Sequence, residues 1–579
     1  MFFFIKVLLF FISTIGSLEW LRRYTKVESV FLPGLTIAIQ TTLLFFSGIL
    51  NCLPETVLLL YLAGFSGILM RFLQSRNFVF IKNYRDISFG FLSLIVIFFL
   101  FFLRNRSFFL SDDFSHWGLV LKQMLQTNRF PRYDDSLILH QNYPMGSSAY
   151  IYFFTKLTGR LEWQQMFAQD YMIATCFLPL FRFVKKNKTA STIVIASTSI
   201  FMLTCNLPPM CLGVDTLLPL VGISVLLYAW VYAKKDSPKT QTVLIIFYLI
   251  QLTQIKNSGI YFVAVIAVWL LYQSKNSIQS SLFRLACISS SPFTLFLWNK
   301  HCDYLIPNSN LSRHAMTYEN SKSMIAAKTM SDMINISKKL IFFSVTWKDL
   351  WLLMLFFAVI YIITLIFFKT ERKRFLKIAF FSVAIFGFYQ LGLWIMYQCS
   401  MPTEQAVELA SIVRYDRTIV IYVIYVMTAY ILHLLSCANI TKAGAIGILL
   451  FVIVSFSGHL YLTVNRDYWK KSEPKIWLES TLKENNIPRD AHCCMIAEEN
   501  CFFIVRYELY SFNANWASVN SAEQMSEITK TNDYLLVYDQ NNKWVNQWIK
   551  EQCPDQIGNK VVAVPSITED DTSDVSQSD

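Results

Sequence analysis

DISFGFLSLIVIFFLFFLRNRSFFLSDDFSHWG, residues 86–118, is the stretch whose reading decides the fold. Positions 86–103 carry one charged residue, Asp86, at their edge, and are otherwise apolar or small. A helix of about 20 such residues crosses the hydrocarbon core of a bilayer. Arg104 and Arg106 close the run, and two adjacent carboxylates, Asp112 and Asp113, follow just ahead of His116 and Trp117. The stretch reads as a membrane span that delivers an acidic segment to the membrane surface.

The same pattern recurs along the chain. Apolar runs predict spans near 2–18, 29–51, 54–73, 86–103, 166–184, 190–207, 212–233, 240–256, 258–273, 282–299, 349–368, 376–399, 417–436 and 444–464, about fourteen in all. Residues 1–18 read as a span rather than as a cleaved leader. Over the 579 residues, 54% are hydrophobic and only 16% charged, against ~25% in soluble domains. Mean hydropathy is +0.41. A soluble reading would have to hide every run in one core, and single cores stop growing near ~250–300 residues. The expected class is therefore an all-α polytopic membrane protein. Its net charge of +12 does not point to nucleic acid, because the basic residues sit mostly in short loops.

Those loops set the orientation. Lys and Arg concentrate in the cytoplasmic loops of membrane proteins. Alternate loops carry Arg22, Arg23 and Lys26; Arg71, Arg76, Lys82 and Arg85; Arg182, Lys185, Lys186 and Lys188; Lys234, Lys235 and Lys239; Lys275 and Arg284; and Lys369, Arg372, Lys373 and Arg374. With these inside, loops 104–165, 208–211, 300–348 and 400–416 lie outside, as does the chain after about 465. The outer loops are long and mixed, which marks the outer face as the working one.

Four regions follow. Residues 1–85 are extra N-terminal spans. Residues 86–465 form a transmembrane core carrying the outer loops. Residues 466–567 form a small extracytoplasmic α/β domain, and residues 568–579 an acidic, disordered tail. In the small domain, helical spacing covers 477–483 and 543–551, and strands are expected at 492–497, 502–507 and 534–538. The apolar run Ala149–Phe154 is too short to span and predicts a re-entrant or interfacial helix. No zinc-type cysteine pair and no Gly-rich phosphate loop is present, so neither a metal site nor nucleotide hydrolysis is indicated. The acids leave room for a divalent cation without calling for one. Several of the twelve cysteines lie in apolar runs, and an extracytoplasmic tail would permit a disulfide among Cys493, Cys494, Cys501 and Cys553.

Chemistry is expected around residue 112. Asp113 with Ser115 could simply cap a helix running to Leu125. The loop also holds Arg129, Arg132, Asp134, Asp135, His140, Gln141 and Tyr143, however, dense titratable and aromatic company for a connector. A carboxylate desolvated at an interface gains basicity and can take a proton from an acceptor hydroxyl. His116, one helical turn on, can orient it or contact a phosphate. Asp112-Asp113-Phe114-Ser115-His116-Trp117-Gly118 resembles the first outer loop of GT-C fold glycosyltransferases, in particular bacterial enzymes that build or decorate surface polysaccharides with lipid-phosphate-linked sugars. Their segment is similar to Asp-Glu-Phe-Ser-His-Trp-Gly, with Asp113 standing here for the Glu. Glu404–Tyr415, EQAVELASIVRY, resembles another outer loop of that family. Asn299-Lys300-His301 and Arg313-His314-Ala315-Met316 resemble its basic outer segments.

The resemblance covers patches of 86–465 and implies a GT-C-like core. It implies a catalytic base at Asp112, with Asp113 as the alternative, an inverting transfer, and no cofactor. The donor would be a polyprenyl-phosphate sugar and the acceptor a cell-surface glycan or polymer. Membrane lipid would be a further partner, and nucleic acid none. Lys256, at the end of an apolar run, either snorkels to the interface or meets a lipid phosphate. Arg414 has the same two readings and is the better phosphate ligand, because its donor fork matches phosphate. Tyr415 lies beside it. Lys300, His301, Arg313 and His314 form an electropositive mouth or a solvated basic loop. Asp215 is a helix N-terminal acid or a second acid near the sugar. The rival readings are a lipid-linked oligosaccharide flippase or transporter, which should carry its charges at broken helices near the midplane; a polysaccharide polymerase or ligase; and a non-catalytic scaffold.

Overall fold

In a computed structural model the chain is described over residues 2–75, 86–305, 318–437 and 472–565, leaving aside 133–134, 136, 139, 186, 208, 235–238, 275–276 and 512. It divides into two units. One comprises residues 1–105, 120–133 and 140–466, and the other residues 106–119, 134–139 and 467–579.

The first unit is helical. Among the described residues, eight of its helices are long and apolar enough to cross a membrane, as an integral membrane protein requires. They are Phe3–Thr25, Leu32–Ile49, Leu53–Gln74, Lys188–Cys205, Ile278–Leu305, Lys348–Phe367, Lys369–Cys399 and Ile412–Cys437. Three further apolar helices, Ile87–Phe102, Leu217–Tyr232 and Gly259–Ser274, are shorter. The count of eight falls below the fourteen spans expected, for local reasons. The run at 166–184 is divided: a helix ends at Thr175 and a separate 3-10 turn, Leu178–Phe183, carries Pro179 in its first turn, where no backbone N–H is needed. The run at 240–256 becomes a short Lys239–Val243 helix followed by Ile245–Ile255. The expected span at 444–464 lies outside the described residues. Ala149–Phe154 falls within one helix, Gly146–Thr158, most of whose residues are buried.

The helices differ in what surrounds them. Ile412–Cys437 has 89% of its apolar window buried and packs against Lys188–Cys205, Leu217–Tyr232 and Arg372–Cys399. Lys348–Phe367 is more apolar still but only 22% buried. A helix that is apolar all round and exposed within the protein has a lipid-facing composition. The helices Phe2–Thr25 and Leu53–Ser75 pack backbone to backbone. A Cβ on Gly16 would lie 1.8 Å from the Gly64 carbonyl oxygen, and one on Gly64 2.1 Å from the Ser13 hydroxyl. Small residues at such a crossing let apolar helices gain dispersion contacts where no hydrophobic driving force separates them from lipid.

The second unit is a four-stranded mixed sheet in the order β2-β1-β3-β4, with helices. Its strands are β1 (Cys493–Ile496), β2 (Asn515–Ala517), β3 (Tyr534–Val537) and β4 (Val561–Ala563). β1 pairs parallel with β2 and β3, in the register Met495 to Trp516 and Met495 to Leu536, and β4 closes antiparallel on β3. The two faces serve separate cores. Cys493, Met495 and Leu536 face one with Leu478, Val505 and Leu509; Cys494, Ile496, Leu535 and Val537 face the other with Val545 and Ile549.

One tail expectation is corrected. Residues 502–507 are not a strand but the start of a helix, Phe502–Leu509. The Asn500 side chain accepts from the Phe502 N–H, and Cys501, Val505 and Leu509 recur at helical spacing against the sheet. Cys493, Cys494, Cys501 and Cys553 form no disulfide; all twelve cysteines are free thiols. Alternation along β1 sends Cys493 to the core of Cys501 and Cys494 to that of Cys553.

Candidate functional site

Asp215, Lys256 and Arg414, distant in sequence, meet in the helical unit. Lys256 Nζ lies 2.7 Å from Asp215 Oδ1, and Arg414 Nε lies 3.1 Å from Asp215 Oδ2. Tyr415 lies beneath both cations, its ring centroid 5.4 Å from the ammonium and 5.7 Å from the guanidinium. Each cation–π contact contributes about 0.5–2 kcal/mol, more as water is excluded.

The backbone explains the convergence. The helix Ile245–Ile255 stops at Lys256, whose extended conformation turns the chain out, and the Gly259 N–H returns to the Lys256 carbonyl at 2.8 Å. A Cβ at Gly259 would fall 2.0 Å from the Leu252 carbonyl oxygen, so only glycine fits this close turn. Asp215 precedes the helix Leu217–Tyr232. Arg414 lies in the first turn of Ile412–Cys437, behind Leu409 and Ser411, which both take left-handed backbone angles. Asn206 ties the pieces: its amide donates to the Arg414 carbonyl at 3.0 Å and to the Asp215 carbonyl at 3.4 Å. The Thr418 hydroxyl donates to the same Asp215 carbonyl at 3.2 Å.

The electrostatics follow from two cations on one carboxylate. Burial opposes ionisation of Asp215, but Lys256 and Arg414 outweigh it and hold the carboxyl below its ordinary range. Burial also opposes the charge on Lys256, and Asp215, with Tyr415 and Tyr143, turns the balance and raises its pKa. Burial pushes the Tyr143 phenol up to about 12, so it stays a neutral donor. The trio carries one net positive charge. Asp215 is 7% exposed, Lys256 16% and Arg414 27%, so the surplus charge lies toward the more open side. Such a site attracts an anion, and its acid is a poor proton donor.

The acidic segment belongs to the other unit. Asp113–Trp117 forms a single π-helical turn with Asp112 before it, closed by the Gly118 N–H on the Asp113 carbonyl, and Gly118–Thr127 continues as an α-helix. Asp112 makes no capping hydrogen bond. Asp113 and His116 are buried, and His116 stands edge-on to Trp117. Wide turns of this kind recur at functional sites. The buried Lys475 lies 4.7 Å from the Phe114 ring centroid, 5.3 Å from that of Tyr507 and 3.3 Å from Glu508.

Of the other expected residues, Lys300 pairs with Asp303 at 3.1 Å on an exposed surface. His301 packs near Trp298, whose indole N–H donates to the Asn142 carbonyl. Arg313 and His314 lie outside the described residues. Sequence reasoning did not single out Tyr143, Asn206 or Lys475 as site residues. Asn206 had one visible signal, a polar residue ending an apolar run just before Pro208-Pro209. No protein-family model matches the chain, and no curated protein matches it in sequence.

Proposed function

We propose that the protein is a membrane glycosyltransferase that moves a sugar from a polyprenyl-phosphate donor to a cell-surface glycan or polymer at the outer face of a bacterial cell membrane. The observation that carries this reading is the Asp215–Lys256–Arg414 cluster. Its net positive charge and aromatic floor suit the phosphate of a lipid-linked donor, and the exposed apolar helices of the same unit suit the lipid chain. The whole chain would hold about fourteen spans, the GT-C-like core being those from residue 86 on.

Asp112 or Asp113 removes the proton from the acceptor hydroxyl. The freed oxygen pair forms a bond to the anomeric carbon, and the bond from that carbon to the phosphate oxygen breaks. The electron pair leaves with the polyprenyl phosphate, whose charge Lys256 and Arg414 balance. Attack opposite the leaving group inverts the anomeric configuration, and no nucleotide sugar is needed. Asp215 keeps the two cations in place.

The test uses the full-length protein reconstituted with a polyprenyl-phosphate sugar. The double variant Asp112→Asn, Asp113→Asn should lose about 10²–10⁴-fold in transfer, the range of general-base catalysis. Arg414→Gln should lose about 10–100-fold, as expected for one hydrogen bond to a charged group. Unchanged transfer by the double variant would remove the proposed base.

A further inference from the structure

Glu371, His433 and Cys437 bring a carboxylate, an imidazole and a thiol together, with one ligand atom from each lying within 4.8 Å of the others. His433 and Cys437 lie four residues apart near the end of Ile412–Cys437, on one helical face. Glu371 comes from the Lys369–Glu371 turn between Lys348–Phe367 and Arg372–Cys399. We propose that this cluster is a binding site for a thiophilic divalent cation, zinc by chemistry, joining the end of the Ile412–Cys437 helix to the turn between its two neighbours.

Distances support the assignment. His433 Nε2 lies 3.3 Å from Glu371 Oε2 and 3.6 Å from Cys437 Sγ. Tetrahedral zinc, with bonds of about 2.0–2.1 Å to nitrogen, about 2.0–2.2 Å to oxygen and about 2.3 Å to sulfur, sets ligand edges of about 3.3–3.6 Å. Three protein ligands leave a fourth position for water. A thiolate beside an imidazole selects zinc over the harder magnesium or calcium.

Arg374 competes for the same acid. Its guanidinium lies 2.7 Å from Glu371 Oε2 and touches His433 Nε2. Its side chain is 53% exposed, so it can swing into water as the cation enters. The pattern escaped the sequence scan because Glu371 stands 62 residues from His433. The basic loop 369–374 assigns this end to the cytoplasm in the positive-inside reading, a compartment that keeps Cys437 reduced.

The test is zinc titration of the full-length, chelator-washed protein in detergent against a chromophoric competitor. One zinc per chain should bind to wild type, and Cys437→Ser and His433→Ala should each weaken it at least tenfold. Arg374→Ala should tighten it. Added zinc should raise the melting temperature of wild type and not of Cys437→Ser, while the two melt alike without metal. Cobalt in place of zinc should show a thiolate charge-transfer band that Cys437→Ser removes. Absence of stoichiometric zinc in wild type, or equal affinity in Cys437→Ser, overturns the site.

Discussion

Asp215 meets two cations, Lys256 at 2.7 Å and Arg414 at 3.1 Å, so its ionisation bears on both. Its folded pKa lies below its unfolded value of about 3.9. The stabilisation is therefore fully present above that unfolded value and disappears as pH falls through the depressed folded one. Lys256 runs the other way: its raised pKa gives stabilisation present below its unfolded value of about 10.4 and lost as pH rises through the folded one. Between about pH 5 and 9 the trio keeps its charge. Asp215→Asn removes the carboxylate that two partly buried cations meet, a loss of about 3 kcal/mol, the low end for breaking a buried pair because both cations keep some water contact. Melting curves of wild type should fall as pH is lowered from 5 toward 3, and the variant should lack the Asp215 share of that fall; parallel curves would show that Asp215 bears no such load. Asp215, Lys256 and Arg414 were each legible in the sequence, because charge beside an apolar run is costly and needs a partner. Which partner each would find was not legible. Nor was the role of Tyr143, which depends on a loop returning to Lys256.

At the scale of elements, apolar length and charge located most helices, and alternation located β1 and β3. The misread element was Phe502–Leu509, whose aromatic and β-branched residues favour a strand on propensity alone. Packing of Val505 and Leu509 on the sheet decided otherwise. Helix contacts give a sharper prediction than helix composition. A methyl on Gly64 would meet Ser13 at 2.1 Å, whereas one on Gly90 would meet nothing within 4 Å. Gly64→Ala should destabilise by about 1–3 kcal/mol, the usual range for overpacking. Gly90→Ala, in the Ile87–Phe102 helix, should be neutral or stabilise by up to about 1 kcal/mol through lost chain entropy. Thermal unfolding of the two variants in one detergent reads both signs. Equal melting temperatures would mean that the two helices do not cross as closely as described.

At the scale of the whole molecule, the chain returns to itself across more than three hundred residues. The segment 106–119 belongs to the same unit as the C-terminal sheet. Phe108 and Phe114 pack against Tyr507, with ring centroids 6.0 and 5.4 Å away, and Phe114 also faces Lys475. A sequence read by local period shows the span at 86–103 and the sheet after 490, but periodicity carries no signal for which loop completes which core. The acidic segment therefore read as an appendage of the transmembrane core, while its aromatic neighbours in fact build the C-terminal unit. This makes Phe114 a stability determinant for strands far from it in sequence. Phe114→Ala should remove about 3–5 kcal/mol, the range for a buried aromatic truncated to alanine. In the full-length protein, amide exchange at Cys493–Ile496 should accelerate, and protease should cut sooner within 472–565, while exchange in Ile412–Cys437 stays as in wild type. Exchange at β1 unchanged by Phe114→Ala would show that the sheet holds without the upstream segment.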